Sequence, residues 1–178
     1  MTTAHVFIAT SLDGFIARPN GSLDWLLQRD HAGEDHGYAG FMADKDAIVM
    51  GRGTYATVAD MEPWPYDRPA YVLSKTLTGT PVPEGQQGKV FFLDLTPQEL
   101  LAKLAREQVQ KVYVDGGKLV QSFLSEGLVH DMVITTVPVL IGAGRPLFGA
   151  LAKDVDLALV SNQCFPSGMV QCKYRLLP

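Results

Sequence analysis

Two adjacent glycines, Gly116 and Gly117, lie between a predicted strand and a predicted helix. The β-branched and aromatic residues 112–114 indicate a buried strand, and apolar residues between 119 and 128 recur with helical spacing. Gly127 is placed to end this helix in the left-handed conformation. Because amide hydrogens at a helix N-terminus are unpaired and the helix dipole is positive there, the arrangement favours a phosphate group. A tight corner between strand and helix would need the same glycines, so the pair alone leaves both interpretations open.

The predicted strand at residues 47–50 also ends in a glycine-containing turn, at residues 51–54, ahead of a helix that we expect to begin near Tyr55. Arg52 in this turn can hold a phosphate through two parallel hydrogen bonds. The alternatives are an ordinary exposed arginine and, for Thr54, a simple helix cap.

A third predicted strand, residues 69–73, is followed by Ser74 and Lys75. A hydroxyl and a cation thus again follow the end of a strand. Lys75 could equally be a surface lysine. The recurrence of such turns in one small domain favours a phosphate-containing ligand over separate structural explanations.

Composition and charge limit the classes of protein to which the chain can belong. The 178 residues, 47% of them hydrophobic, suffice for one domain over residues 1–178 but hardly for two. A net charge of −4 without clustered Lys and Arg argues against nucleic-acid binding. No window approaches a membrane span and no leader precedes the apolar residues 5–9, so we expect a cytoplasmic protein. Cys164 and Cys172 are expected to be free thiols, and residues 31–36 match no metal-ligand spacing.

The remaining pattern predicts an α/β fold with a mixed, mostly parallel sheet of about eight strands and about four helices. Residues 5–10 contain a continuous apolar run typical of a strand buried on both faces, and residues 90–93 form another strand. Residues 96–99 have the capping residues of a helix start. Residues 156–165 and 169–176 predict an antiparallel C-terminal hairpin whose last strand has one wet face.

Five segments together resemble the dihydrofolate reductase fold, most closely the reductase domain of bacterial riboflavin biosynthesis and its stand-alone relatives. The segments occur in the order of that family and span nearly the whole chain. They are residues 11–17 (SLDGFIA), 50–55 (MGRGTY), 73–75 (LSK), 115–119 (DGGKL) and 138–148 (PVLIGAGRPLF). The resemblance implies a three-layer α/β fold and an NADPH-dependent reductase acting on a pterin-like or aminopyrimidine-like substrate.

The resemblance also implies which residues bind NADPH. Ala9 and Ile16 would contact the nicotinamide, Arg52 the adenosine 2′-phosphate, and residues 116–119 the pyrophosphate. The implied cofactor-binding residues are Ala9, Ile16, Gly51, Arg52, Gly53, Thr54, Leu73, Ser74, Lys75, Asp115, Gly116, Gly117, Lys118 and Leu119. Because the glycine pair commonly has a cis peptide in this family, we expect one between Gly116 and Gly117.

The chain departs from the family pattern where the proton chemistry would be decided. Trp25 and Asp30 have the spacing of the tryptophan and acid in dihydrofolate reductases, but residues 26–29 lack the proline of that segment. Asp30 is therefore either a catalytic proton relay or a solvated helix residue. The aspartate that follows the glycine-threonine turn in riboflavin reductases has no match here, because Asp60 lies too late.

The substrate is expected between residues 13–30 and the loop 138–148, with Asp13 and Trp25 as its binding residues. Gly142, Gly144 and Arg145 of that loop could meet a substrate phosphate, or the loop could serve as a connection or a dimer contact. The family often forms dimers, so we expect a homodimer. Two alternatives remain: an NADP(H)-binding protein of the same fold without turnover, and a fold retained for a different ligand.

Overall fold

A computed structural model describes residues 1–29 and 33–177, which form ten strands and five α-helices. The strands are β1 (Thr3–Ser11), β2 (Phe15–Ala17), β3 (Ala47–Gly51), β4 (Ala70–Leu73), β5 (Val90–Leu93), β6 (Lys111–Asp115), β7 (Val129–Val137), β8 (Arg145–Pro146), β9 (Leu157–Cys164) and β10 (Val170–Leu176). The helices are α1 (Asp24–Leu27), α2 (Tyr38–Met42), α3 (Arg52–Val58), α4 (Pro97–Arg106) and α5 (Gly117–Ser125). None of these helices is long and apolar enough to cross a bilayer.

Eight of the strands form one sheet in the order β5-β4-β3-β6-β1-β7-β10-β9. The strands from β5 to β7 pair in parallel, and β10 pairs antiparallel with both β7 and β9. The predicted mixed, mostly parallel sheet with an antiparallel C-terminal hairpin is therefore confirmed. The short strands β2 and β8 form a separate antiparallel pair, which the sequence pattern did not predict.

Side chains on alternate positions of the sheet enter cores on its two faces, which gives the predicted three layers. On β6, Val112 and Val114 pack in the core that contains buried side chains of α4 and α5. Tyr113 points the other way and packs in the core that contains Tyr55 and Val58 of α3. Odd-numbered residues of β6 therefore direct their side chains to the face of the sheet on which α3 packs.

The start of α4 confirms the predicted capping box, since Thr96 Oγ1 accepts from the Glu99 amide at 3.2 Å and the Thr96 amide donates to Glu99 Oε2 at 2.9 Å. Gly127 has a φ of 66°, as predicted for the residue after α5. Helix α3 begins at Arg52 rather than near Tyr55, because Gly51 stays extended and serves as its N-cap. Thr54 therefore lies within the helix and does not cap it.

Two backbone expectations were wrong. The only cis peptide bond among the described residues joins Glu62 to Pro63, so the bond between Gly116 and Gly117 is trans. Gly116 makes the turn instead with a φ of 101° and a ψ of 131°, a conformation that glycine adopts readily. The expected alternation on β10 is also wrong, since Val170 on the predicted dry face is 39% exposed. The apolar side chains at this end of the sheet are therefore incompletely covered.

Candidate functional site

The three predicted turns lie together because they follow neighbouring parallel strands. In the sheet register, Gly51 of β3 lies opposite Leu73 of β4, and Met50 lies opposite Asp115 of β6. The carboxyl ends of parallel strands meet at one edge of a sheet, which is the usual ligand-binding edge of open α/β folds. Residues 51–54, 73–75 and 115–119 are thus brought to one edge.

The glycine pair permits close packing between three of the predicted cofactor-binding segments. A Cβ on Gly116 would lie 2.4 Å from Thr54 Oγ1, and a Cβ on Gly117 would lie 2.7 Å from Ile16 Cδ1 and 3.0 Å from the Pro146 carbonyl oxygen. Any larger residue at either position would push these segments apart. The glycines are therefore required by the fold, and the same requirement places Thr54 and Ile16 beside the start of α5.

The N-terminus of α5 has amide groups available for an anion. Its N-cap is Gly116, and no side chain in the described part of the chain caps it, whereas α4 has a complete capping box. The first hydrogen bond of α5 runs from the Val120 amide to the Gly116 carbonyl. Lys118 and Leu119 lie in the first turn, with Lys118 exposed. This is the geometry in which a helix binds phosphate through its backbone.

Three cations surround this edge without an acidic partner. Among the described residues, no ion pair involves Arg52, Lys75 or Lys118. Arg52 Nη1 only donates a long hydrogen bond of 3.4 Å to Thr76 Oγ1. Ser74 Oγ lies 3.2 Å from the same hydroxyl and accepts from the Leu77 amide, so it shapes the turn after β4. The edge can therefore neutralise a ligand that carries several negative charges.

The two residues predicted to contact a nicotinamide lie on different elements. Ala9 of β1 is partly buried, lies opposite Thr135 of β7 and packs at the border of the Trp25 cluster. Ile16 of β2 is also partly buried, with its Cδ1 directed at Gly117. Both lie where β1 leads into the β2 segment.

Asp13 binds the loop at residues 138–148. Its carboxylate accepts from the Ile141 amide at 3.1 Å and from the Gly142 amide at 2.8 Å. The Ser11 hydroxyl and these two amides lower the pKa of Asp13. In the structure Asp13 thus holds two chain segments together, and its predicted contact with substrate stays a prediction.

The loop at residues 138–148 is fixed by close contacts. A Cβ on Gly144 would lie 2.4 Å from the Ala17 carbonyl oxygen, and the guanidinium of Arg145 lies against Gly21. Arg145 makes no ion pair among the described residues. The loop therefore packs against strand β2 and the turn that follows it.

Trp25 is only 4% exposed and packs with Val137, Phe165 and Met169, on the face where Ala9 also points. Its indole Nε1 is buried and has no hydrogen-bond partner in the described part of the chain. A buried indole N–H without an acceptor is unusual. The predicted catalytic residue Asp30 lies outside the described residues.

Asp115 has surroundings that the sequence did not reveal. Burial at the end of β6 raises the pKa of its carboxyl to about 6, although the Tyr113 hydroxyl and the Gly116 amide oppose the shift. Burial raises the pKa values of Tyr38 and Tyr66, and the charge of Asp115 adds to both shifts. Alternation along β6 could have placed Asp115 on the face of Tyr113, but no local pattern links it to Tyr38 or Tyr66.

Comparison with known proteins identifies the family. A family model described as the RibD C-terminal domain matches residues 3–171. The chain belongs to this family. It is 36% identical over 163 residues to "Uncharacterized protein YwjB" of Bacillus subtilis (strain 168), covering 90% of both chains. These findings confirm the predicted resemblance.

Solved structures agree in fold. A "Putative riboflavin biosynthesis protein" from Shewanella sp. PV-4 superimposes with a TM-score of 0.91 at 38% identity, over 99% of this chain and 100% of that one. A diaminohydroxyphosphoribosylaminopyrimidine deaminase/5-amino-6-(5-phosphoribosylamino)uracil reductase from Thermotoga maritima has a TM-score of 0.77 at 16% identity. That likeness covers 99% of this chain but 57% of the Thermotoga chain, and it shows the fold alone. The family has a riboflavin-pathway type of reductase fold.

Proposed function

We propose that the protein is an NADPH-dependent reductase that delivers hydride to a polarised carbon–nitrogen bond of a pterin-like or aminopyrimidine-like substrate. The observation that carries the proposal is the contact of Gly116 with Thr54 and of Gly117 with Ile16. It joins the uncapped start of α5 to two other predicted cofactor-binding segments at the sheet edge.

The residues at this edge fit a phosphate-rich dinucleotide. The first-turn amides of α5, together with Lys118, would hold the pyrophosphate, and Arg52 with Thr54 would hold the 2′-phosphate. Ala9 and Ile16 would border the nicotinamide, which supplies the hydride when bound. Arg52 forms no ion pair with a described acidic residue, and such a cation favours NADPH over NADH because a free ribose hydroxyl is usually bound by a carboxylate.

Asp115 is the described residue best suited to hold the proton that the reduced nitrogen requires. A carboxyl whose pKa is about 6 keeps an appreciable protonated fraction near neutral pH, where an ordinary aspartate is ionised. Its position directly before Gly116 lies next to the proposed pyrophosphate site. Asp115 stays among the predicted cofactor-binding residues, and we propose that its carboxyl also holds this proton.

The cofactor assignment is tested by measuring NADPH and NADH affinities calorimetrically for the wild type, Arg52→Ala and the control Lys153→Ala. A charge-assisted contact to the 2′-phosphate contributes about 1.5 to 3 kcal/mol, so Arg52→Ala should weaken NADPH binding by roughly 10- to 100-fold and leave NADH binding unchanged. Lys153 is exposed, forms no described ion pair, and should leave both affinities unchanged. An unaltered NADPH to NADH ratio in Arg52→Ala would exclude this site.

We also propose that two copies of the chain associate through the C-terminal strands. Leu157, Leu159 and Phe148 are 40%, 54% and 48% exposed at this end of the sheet, and they leave an apolar patch open. Such patches usually mark an interface. Leu159→Asp should convert a dimer into a monomer in light scattering after gel filtration, while Lys153→Ala should not; a monomeric wild type would contradict the proposal.

A further inference from the structure

A hydroxyl, an imidazole and a carboxylate are hydrogen-bonded in series at the start of β1. Thr3 Oγ1 lies 2.9 Å from His5 Nε2, and His5 Nδ1 lies 2.8 Å from Asp131 Oδ1. We call these three residues, Thr3, His5 and Asp131, the Thr3 triad. Along β1, Thr3 lies about 20 Å from Ala9 at about 3.3 Å per residue. The Thr3 triad is therefore remote from the predicted nicotinamide contacts, at the opposite edge of the sheet.

The strand register brings the Thr3 triad together. Thr3 and His5 are two residues apart on β1, so their side chains point to the same face of the sheet. Asp131 of β7 is the register partner of His5 in the parallel pair of strands. The imidazole is held further by His130, whose ring packs edge-on against it with 5.3 Å between the ring centroids. The base is thus fixed in orientation by two elements.

The carboxylate of Asp131 decides which nitrogen of His5 carries the proton. Burial alone would raise the pKa of Asp131, but the hydrogen bond from His5 and the charges of His5 and Lys173 lower it, so the group is an ionised acceptor. His5 Nδ1 therefore donates to Asp131. In the neutral imidazole this leaves Nε2 as an acceptor, directed at the hydroxyl of Thr3.

The base is buried, whereas the hydroxyl can be reached from solvent. His5 and Asp131 are 5% and 8% exposed. Thr3 is only partly buried, and its other contact, 3.3 Å to the Gln110 carbonyl oxygen, lies at the exposed surface. A hydroxyl has a single proton, and the shorter distance to His5 Nε2 favours its donation there. A reagent can therefore approach Thr3 Oγ1 while His5 accepts the proton.

Two lysines lie beside the Thr3 triad on the same face of the sheet. Lys173 Nζ is 3.4 Å from Asp131 Oδ2. Lys111 of β6 is the register partner of Thr3, and its Nζ is bonded to Asp44 at 2.6 Å. When a hydroxyl attacks a carbonyl carbon, negative charge develops on the carbonyl oxygen, and a neighbouring ammonium stabilises it. Lys111 is the described cation that the register places next to Thr3.

A nucleophile, a base within hydrogen-bond reach and a third group that orients the base together form the usual arrangement of an activated hydroxyl. A purely structural tie between β1 and β7 would need the bond between His5 and Asp131. It would not need a solvent-accessible hydroxyl on the second imidazole nitrogen.

We propose that Thr3 is an acyl-acceptor site, at which His5 activates the hydroxyl toward thioesters and other activated esters. Thr3 Oγ1 bonds to the acyl carbon and its proton passes to His5 Nε2. The bond from the acyl carbon to the departing sulfur or oxygen breaks, and His5 returns the proton to that departing group. The product is an ester on Thr3, formed without oxidation or reduction and independently of the proposed reductase function.

The test treats the wild-type protein with p-nitrophenyl acetate and follows acetylation of each hydroxyl by peptide mass spectrometry. Thr80 is the internal reference, since it is exposed and its hydroxyl donates to the Leu77 carbonyl oxygen at 2.7 Å. General-base catalysis contributes about 100- to 10,000-fold, so Thr3 should be acetylated at least roughly 100 times faster than Thr80. Hydroxylamine should remove the acetyl group, because it cleaves esters and spares amides. Equal rates at Thr3 and Thr80, or labelling of amines alone, would overturn the proposal.

Variants distinguish activation from simple exposure. His5→Gln and Asp131→Asn should each slow acetylation of Thr3 by at least about tenfold and leave Thr80 unchanged, because the base or its orientation is lost. Thr3→Ser keeps the hydroxyl on His5 and should still be acetylated. An unchanged rate at Thr3 in folded His5→Gln would contradict the assigned role. Circular dichroism checks folding of the two buried-site variants; if neither folds, the rates at position 3 in the wild type and Thr3→Ser, each relative to Thr80, decide.

Discussion

Replacing Gly116 by alanine tests the contact on which the candidate site depends. The new Cβ would lie 2.4 Å from Thr54 Oγ1, a distance that real Cβ atoms do not adopt. Its φ of 101° is also unfavourable for any residue with a Cβ. The substitution therefore imposes two separate costs, a clash with Thr54 and a backbone strain.

The two costs can be estimated and separated. Overpacking a tight contact costs about 1 to 3 kcal/mol, and a non-glycine residue in a sparsely populated backbone region costs about 1 to 3 kcal/mol. Gly116→Ala should thus lower the free energy of unfolding by roughly 2 to 6 kcal/mol. Adding Thr54→Ala removes the hydroxyl that clashes, so the double variant should recover about 1 to 3 kcal/mol while the backbone strain remains.

The free energy of unfolding is measured by urea denaturation for the wild type, both single variants and the double variant. Gly127→Ala is the control for backbone strain, since Gly127 has a φ of 66° and no atom within 4 Å of the added Cβ. It should cost about 1 to 2 kcal/mol, less than Gly116→Ala. If Gly116→Ala costs no more than Gly127→Ala, or if Thr54→Ala recovers nothing, the close contact between α3 and α5 is not what requires the glycine.

Three further changes test other parts of the structure. Asp115→Asn should stabilise the protein at pH 8 by up to about 3 kcal/mol and have little effect at pH 4. Burial raises the pKa of the Asp115 carboxyl to about 6, so its ionisation costs the folded protein stability as pH rises from the unfolded pKa through the folded one, and asparagine does not ionise. Urea denaturation at the two pH values measures the difference. The opposite pH dependence is expected for Asp131. Burial alone would raise the pKa of its carboxyl, but the hydrogen bond from His5 and the charges of His5 and Lys173 lower it. Asp131→Asn should therefore destabilise the protein at pH 7, and the difference should shrink as pH falls through the lowered pKa of the wild type in the same denaturation series. Thr96→Ala should cost about 1 kcal/mol by removing the cap of α4, with Thr80→Ala as the control for loss of an exposed hydroxyl.

The sheet edge could be predicted because its signals are local. Each of the strands at residues 47–50, 69–73 and 112–114 is a short apolar run, and each is followed by glycine, hydroxyl or cationic residues. Parallel pairing then places the ends of neighbouring strands side by side without further information. These local patterns predicted the three turns that contain Arg52, Ser74 and Gly116, and the strand order β4-β3-β6 brings the turns to one edge.

The surface around Asp115 could not be predicted in this way, because it depends on contacts between distant segments. Tyr38 belongs to a helix of five residues, and Tyr66 lies in a loop between α3 and β4. Neither has a spacing that relates it to β6. The trans bond between Gly116 and Gly117 was missed for a different reason, since the turn is made by the φ of Gly116 and not by the peptide bond.

The contacts explain why five weak motifs occur together in one chain. The carboxylate of Asp13 binds the amides of Ile141 and Gly142, and Gly144 packs against the Ala17 carbonyl, so residues 11–17 and 138–148 fit each other. In the same way residues 115–119 fit both 50–55 and 11–17, through the contacts of the glycine pair. A change in one segment would therefore disturb the position of another at the sheet edge. Asp13 therefore positions two segments of the site, and its contact with substrate stays a prediction; Asp13→Asn should affect stability as well as substrate affinity.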